Sequence, residues 1–203
     1  MKELLKDWNT IPNWLSYLRI VLVPVFAVLF LKGYIGWALI VLAISGLSDF
    51  FDGKIARKYN QVSELGKIID PVADKLTQIT IAVLFYIYFK NSSVDLIKSF
   101  SWVFLIFVIK ELVMVVFGGL MLLLNMRPGA AEIWGKAATM VFYIVMIFIV
   151  LFGPEIGFLK SIFVLPDIVL LILVIISALM TVTAFLGYLP GTFKMFKEKY
   201  KKG

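Results

Sequence analysis

Six long apolar stretches, about 13–32, 34–53, 63–89, 96–124, 132–152 and 164–189, fill most of this 203-residue chain. Each is close to or above the roughly 20 apolar residues an α-helix needs to cross a bilayer. Inside lipid the backbone must satisfy its own hydrogen bonds, and a helix does so within one segment. The fold class expected is therefore an all-α integral membrane protein with six transmembrane helices. Composition agrees, with 62% hydrophobic and 16% charged residues, against about half and about a quarter in soluble domains. That balance excludes a soluble globular fold, a disordered chain and a disulfide scaffold.

Residues 1–12 mix Leu4, Leu5, Trp8 and Ile11 with Lys2, Glu3, Lys6 and Asp7, which reads as a short N-terminal amphipathic interfacial helix. Residues 13–189 then form the membrane domain, and residues 190–203 a basic tail carrying Lys194, Lys197, Lys199, Lys201 and Lys202. The first apolar stretch is too long for a signal peptide and no small-residue cleavage site follows it. Pro24 within it is tolerable as a kink in a membrane helix.

The net charge is +7. In a chain this apolar the excess sets topology and meets anionic headgroups, so the expected partner is the lipid bilayer and not nucleic acid. Six spans leave both termini on one side. That side holds Lys2, Lys6, Lys54, Arg57, Lys58, Arg127 and the tail lysines, and the other holds Lys32, Lys90, Lys98 and Lys160. The bias predicts a multi-pass protein of the cell membrane with both termini in the cytoplasm.

The chain has no Cys and no His. Cys–His and Ser–His nucleophilic machinery, Cys/His zinc sites and His-ligated haem are thereby excluded. What chemistry there is must run on carboxylates, amines, hydroxyls and hard metals. The informative stretch is 48–75, with Asp49, Asp52, Asp70 and Asp74 at the ends of two apolar segments. A carboxylate in hydrocarbon costs on the order of 3 kcal/mol on insertion scales. Asp49 and Asp52 are three apart and Asp70 and Asp74 four apart, so each pair shares a helix face. Packed antiparallel, the two helices would bring the pairs into one cluster suited to Mg²⁺ or Mn²⁺. Four carboxylates around two ions make a phosphoryl-transfer site. Gly53 and Ala56 leave room for a diphosphate, Arg57 offers it a fork of donors, and Gly66 clears space one turn before Asp70. The alternative is an internal salt-bridge network, Asp52 with Arg57 and Asp74 with Lys75 or Lys67.

These residues carry a resemblance. Asp49, Asp52-Gly53, Ala56-Arg57, Gly66, Asp70 and Asp74 occupy, at matching gaps, every fixed position of the CDP-alcohol phosphotransferase motif. The resemblance implies that an alcohol attacks a CDP-linked donor, here CDP-diacylglycerol, and that CMP leaves. It implies two divalent cations, Mg²⁺ or Mn²⁺, on Asp49, Asp52, Asp70 and Asp74, with Asp74 also the general base. Asp52, Gly53, Ala56, Arg57 and Gly66 would line the CDP site. A homodimer, a bacterial host and a cytoplasmic active site are implied with it.

Within that family, Asn9-Thr-Ile-Pro-Asn-Trp-Leu-Ser-Tyr-Leu-Arg19 and Gly66-Lys-Ile-Ile-Asp-Pro-Val-Ala-Asp-Lys75 are similar to bacterial phosphatidylglycerophosphate synthases. Those enzymes hold the acceptor phosphate with an Arg-Glu pair and a Gly-Lys-x-Lys-Thr run. Here the matching residues are Lys110-Glu111 and Gly135-Lys136-Ala137-Ala138-Thr139. The resemblance therefore puts glycerol 3-phosphate first as acceptor, with Arg19, Lys110 and Lys136 as its ligands. Lys110 lacks the bidentate fork and Ala138 stands for the second lysine. Eukaryotic-type cardiolipin synthases also lack that lysine, which makes phosphatidylglycerol the alternative acceptor. Arg19 could instead snorkel to the interface, and Lys110 and Glu111 could be a structural pair. The rival from another class is a cation-coupled membrane transporter, although the acidic cluster has no counterpart in the second half of the chain.

Other residues read more plainly. Trp14, Trp37, Trp102 and Trp134 sit near span ends as interfacial anchors. Glu64, Glu132 and Asp167 suit first-turn helix positions. Gly118-Gly119 predicts close helix packing.

Overall fold

A computed structural model describes residues 9–59, 63, 65–124 and 133–201. Seven helices and no strand occur among them: α1 Ile11–Leu31, α2 Ile35–Lys58, α3 Gly66–Lys90, α4 Asp95–Ser99, α5 Val103–Leu123, α6 Ile133–Phe152 and α7 Asp167–Lys201. The chain divides into two compact units, 1–84 and 85–203.

In the first unit, α1 is capped by Thr10, whose backbone is extended (φ −111°, ψ 153°) and whose hydroxyl oxygen accepts the Asn13 amide at 3.4 Å. Pro12 sits in the first turn, where its missing N–H costs nothing. The helix ends on Gly33, at φ +77°. The Gly33 amide donates to Phe30 and the Tyr34 amide to Leu29, at 3.0 and 2.9 Å. A Schellman ending of this kind needs a left-handed residue, which glycine supplies without strain. The three-residue turn brings α2 back alongside α1, and Phe26, Phe30, Ala38 and Leu42 are buried there. Ala73, Ile81, Ala82 and Leu84 are the buried apolar residues that α3 adds to this unit.

The second unit has an aromatic core. Phe104 packs on Phe85 and Phe89 with ring centroids 5.7 and 4.6 Å apart, and Phe107 meets Phe142 at 5.0 Å. The end of α6 is closed by the chain that follows it. Amides of Gly153, Phe158, Leu159 and Leu165 donate to the carbonyls of Ile149, Val150, Leu151 and Phe152 at 2.8–2.9 Å. A helix end near hydrocarbon needs such partners.

Among the described residues, five helical segments are long and apolar enough to cross a membrane: Ile11–Leu31, Ile68–Lys90, Asp95–Met121, Trp134–Phe152 and Asp167–Gly191. The chain is a membrane protein. The expected six spans thus become five plus α2, whose apolar part, Ile35–Ser48, stops where the motif carboxylates begin. The stretch expected over 96–124 corresponds to the segment Asp95–Met121, with a turn at 100–102 between α4 and α5. The helix α7 runs on through Pro190 to Lys201, into the stretch expected as the basic tail. Residues 1–8 of the expected interfacial helix lie outside the described residues, and so do Glu64, Arg127 and Glu132.

Trp14, Trp37, Trp102 and Trp134 are all exposed near helix ends, as interfacial anchors would be. Asp167 does occupy the first turn of α7. The packing expected at Gly118 and Gly119 is not made among the described residues, where a Cβ at either would meet nothing within 4 Å.

Candidate active site

Asp70 and Asp74 lie one turn apart on α3 and are both half-buried. Each is braced by a neutral donor. The Ser16 hydroxyl of α1 donates to Asp70 Oδ1, and Gln78 Nε2 donates to Asp74 Oδ2 at 2.8 Å. Gln78 is itself buried, and the i, i+4 spacing delivers its amide to the carboxylate. Lys75 Nζ stands 4.0 Å from Asp74 Oδ2, at the outer limit of an ion pair. Of the internal salt-bridge alternative, this long contact is described for Asp74, while the side chains of Asp52, Arg57 and Lys67 lie outside the described residues. Two carboxylates braced by neutral donors, in a chain without Cys or His, fit a hard divalent cation.

Asp49, Asp52, Gly53, Ala56 and Arg57 follow one another along the last turns of α2. Their side chains lie outside the described residues, so the expected cluster of four carboxylates is described for Asp70 and Asp74 only. Among the described residues no group of three or more acidic side chains is close enough to hold a metal ion.

Gly66 is buried for a reason that its spacing does not reveal. A Cβ there would come 2.7 Å from Asn13 Oδ1 and 2.9 Å from Ser63 Oγ. Those two atoms are bonded: Ser63 Oγ donates to Asn13 Oδ1 at 2.9 Å and accepts the Gly66 amide at 2.8 Å. A Cβ at position 66 would therefore run into the contact between α1 and the start of α3.

Of the acceptor candidates, Arg19 does not snorkel. It is 2% exposed, on the same stripe of α1 as Asn13 and Ser16. Lys110 Nζ donates to Glu111 Oε1, and Glu111 is buried in α5. Lys136 is exposed near the start of α6, and Ala138 is buried. Arg19 belongs to the first unit, and Lys110 and Lys136 to the second.

Asn13, Ser16, Ser63 and Gln78 are the site residues that sequence reasoning missed. A signal existed for Gln78, four residues after Asp74, and for Ser16, midway between Asn13 and Arg19 at helical spacing.

Curated relatives carry the same chemistry in their names. The chain is 37% identical over 139 residues to a cardiolipin synthase (CMP-forming) of Streptomyces coelicolor, covering 64% of this chain and 60% of that one. It is 48% identical over 73 residues to the CDP-diacylglycerol–glycerol-3-phosphate 3-phosphatidyltransferase of Rickettsia typhi, covering 34% of this chain and 40% of the relative. The protein of that name from Rickettsia bellii is 41% identical over 92 residues, 43% of this chain and 48% of the relative. These matches thus span between about two fifths and three fifths of the relatives' own lengths. The broader match runs from α1 into α7 and takes in all eight motif positions. Over residues 9–188 the sequence fits the CDP-alcohol phosphatidyltransferase family, and the chain belongs to it.

Proposed function

We propose that this protein transfers the phosphatidyl group of CDP-diacylglycerol to glycerol 3-phosphate and releases CMP. The observation that carries the reading is the pair Asp70 and Asp74, one turn apart on α3 and each braced by a neutral hydrogen-bond donor. Membership of the CDP-alcohol phosphatidyltransferase family supplies the reaction class.

Asp49, Asp52, Asp70 and Asp74 would hold two divalent cations, Mg²⁺ or Mn²⁺, which would neutralise the diphosphate and the departing CMP. Gly53, Ala56, Arg57 and Gly66 would flank the CDP moiety together with Asp52. Asp74 takes the proton of the acceptor hydroxyl as its oxygen bonds to the phosphatidyl phosphorus. The bond from that phosphorus to the bridging oxygen breaks, and CMP leaves with the electron pair. Arg19, Lys110 and Lys136 would receive the acceptor's phosphate.

The reading includes six spans, with α2 as the sixth. Its 24 residues reach about 36 Å at about 1.5 Å per residue, enough to cross with the motif at its polar end. Both termini and the active site then face the cytoplasm of a bacterial cell, with a homodimer as the working unit.

One observation favours a second acceptor. Ala138 is buried where a second phosphate-binding lysine would stand, and a cardiolipin synthase aligns with 64% of the chain. Phosphatidylglycerol, a singly charged phosphodiester, is that alternative. The test is CMP release by purified protein with CDP-diacylglycerol, Mn²⁺ or Mg²⁺ and a panel of acceptors, followed by identification of the lipid product. Phosphatidylglycerophosphate supports the first reading and cardiolipin the second. No CMP release with any acceptor, together with cation flux in liposomes, would favour a transporter.

A further inference from the structure

Ser16 and Asn13 take no part in the chemistry proposed above, yet both are buried polar residues on the face of α1 that meets the start of α3. We infer that Ser16 is a positioning residue for the Asp70 carboxylate, and that the Asn13–Ser63–Gly66 joint keeps α1 within reach of it. The inference rests on the reading of Asp70 as a metal ligand.

Ser16 is fully buried, so its hydroxyl has no water to turn to. It has one proton and two acceptors at hand, the Pro12 carbonyl at 3.1 Å and Asp70 Oδ1. A hydrogen bond to an ionised acceptor is about twice as strong as one to a neutral acceptor, so the proton goes to Asp70. An Asp side chain is loose about its last torsion. The bond to Oδ1 removes that freedom and sets the direction of Oδ2. A neutral donor leaves the charge of the carboxylate intact for a cation, where a lysine or arginine at the same place would compete with the metal.

Such a bond works only if α1 cannot slide along α3, and the joint one turn earlier prevents that. Asn13 and Ser63 are both buried, and Ser63 is fully used, donating to Asn13 Oδ1 and accepting from the Gly66 amide. Glycine at 66 is what allows these atoms to come so close. Asn13, Ser16 and Asp70 thus form one mechanical unit, in which a contact between helices orients a ligand.

The test measures Mn²⁺ binding to the purified full-length protein by the loss of the free-ion electron paramagnetic resonance signal. The Mn²⁺ dependence of CMP release is followed alongside it. Removing a group that orients a metal ligand typically costs 10- to 100-fold in metal affinity or activity. Ser16→Ala should therefore raise the half-saturating Mn²⁺ concentration about 10-fold or more in both assays, with little change in KM for the acceptor. Ser16→Thr, which keeps the hydroxyl, should stay within about 3-fold of wild type. Should Ser16→Ala not fold, Ser16→Thr and Ser16→Val carry the comparison, since they fill the same volume and differ in the hydroxyl. The inference is overturned if the hydroxyl-free variants bind Mn²⁺ as wild type does, or if Ser16→Thr is as weak as Ser16→Val. Wild-type protein that binds Mn²⁺ but releases no CMP with any acceptor would instead overturn the proposed function, while the Mn²⁺ comparison still decides the role of Ser16.

Discussion

Gln78 lies one turn beyond Asp74 on α3, and its side-chain amide donates to Asp74 Oδ2 at 2.8 Å. The buried glutamine presents a fixed N–H to the carboxylate proposed as general base, which orients that group without altering its charge. Gln78→Leu removes the donor and keeps the bulk. It should lower kcat for CMP release about 10- to 100-fold, the usual cost of losing an orienting partner, with KM for CDP-diacylglycerol little changed. Steady-state kinetics on folded protein checks this, and an unchanged kcat would remove Gln78 from the site.

Gly66→Ala should destabilise the protein. The new Cβ would lie within 3 Å of Asn13 Oδ1 and Ser63 Oγ, so that hydrogen-bonded pair must separate. Overpacking and the loss of a buried hydrogen bond each cost about 1–3 kcal/mol. Thermal melting in detergent should show a lower Tm. Adding Asn13→Ala should cost less in the Gly66→Ala background than in wild type, because the clashing oxygen has gone. Additive effects would mean the two residues do not interact.

A separate clamp lies in the second unit. Glu155 Oε1 accepts from the Ser93 amide at 2.8 Å, the Ser93 hydroxyl at 2.6 Å and the Ser92 hydroxyl at 3.2 Å. It ties the chain after α3 to the chain after α6. Partial burial pushes the carboxyl up, but the hydrogen bonds from Ser93 and Ser92 outweigh it and hold the group below its usual 4.5. A carboxyl lowered on folding contributes stability that is present above its unfolded value and is lost as pH falls through the folded one. Wild type should therefore lose Tm faster than Glu155→Gln as pH drops below about 4.5. Parallel melting curves for the two proteins would contradict the clamp.

Lys110 and Glu111 make a partly buried ion pair in the apolar run of α5. Losing one member of a buried ion pair costs about 3–5 kcal/mol. Glu111→Gln should melt well below wild type, and adding Lys110→Met should restore much of the loss. If Lys110 also receives the acceptor phosphate, that stable double variant will show a raised KM for glycerol 3-phosphate and an unchanged KM for CDP-diacylglycerol. A normal acceptor KM would leave Lys110 a structural residue.

The parts that could be read from the chain alone are those encoded by local pattern. Apolar runs located the main helices, because roughly 20 apolar residues have no stable place in water. The spacing of Asp49, Asp52, Asp70 and Asp74 located the candidate site, because helical periodicity is local. Ser16 and Asp70 are 54 positions apart, and Ser92 and Glu155 are 63 apart. No periodicity encodes such partners; packing selects them. Spacing places Gly66 one turn before Asp70, but only packing shows that a Cβ there would meet Asn13 and Ser63. For Arg19 the sequence leaves both phosphate binding and snorkelling open, since neither its type nor its position reveals that α1 buries the stripe it occupies. The turn at 100–102 and the continuation of α7 through Pro190 are likewise tertiary outcomes, the second against a residue that locally favours an ending.

In the proposed reaction the carboxylate of Asp74 takes the acceptor's proton. The most direct measurement compares CMP release by wild type and Asp74→Asn, each verified as folded by its melting curve, at saturating Mn²⁺, CDP-diacylglycerol and glycerol 3-phosphate. Asparagine keeps the shape and can still meet Gln78, but it cannot hold the proton. Turnover should fall by at least about 100-fold, the low end of what general-base catalysis contributes, with the variant still folded. Turnover at the wild-type rate in folded Asp74→Asn would contradict it.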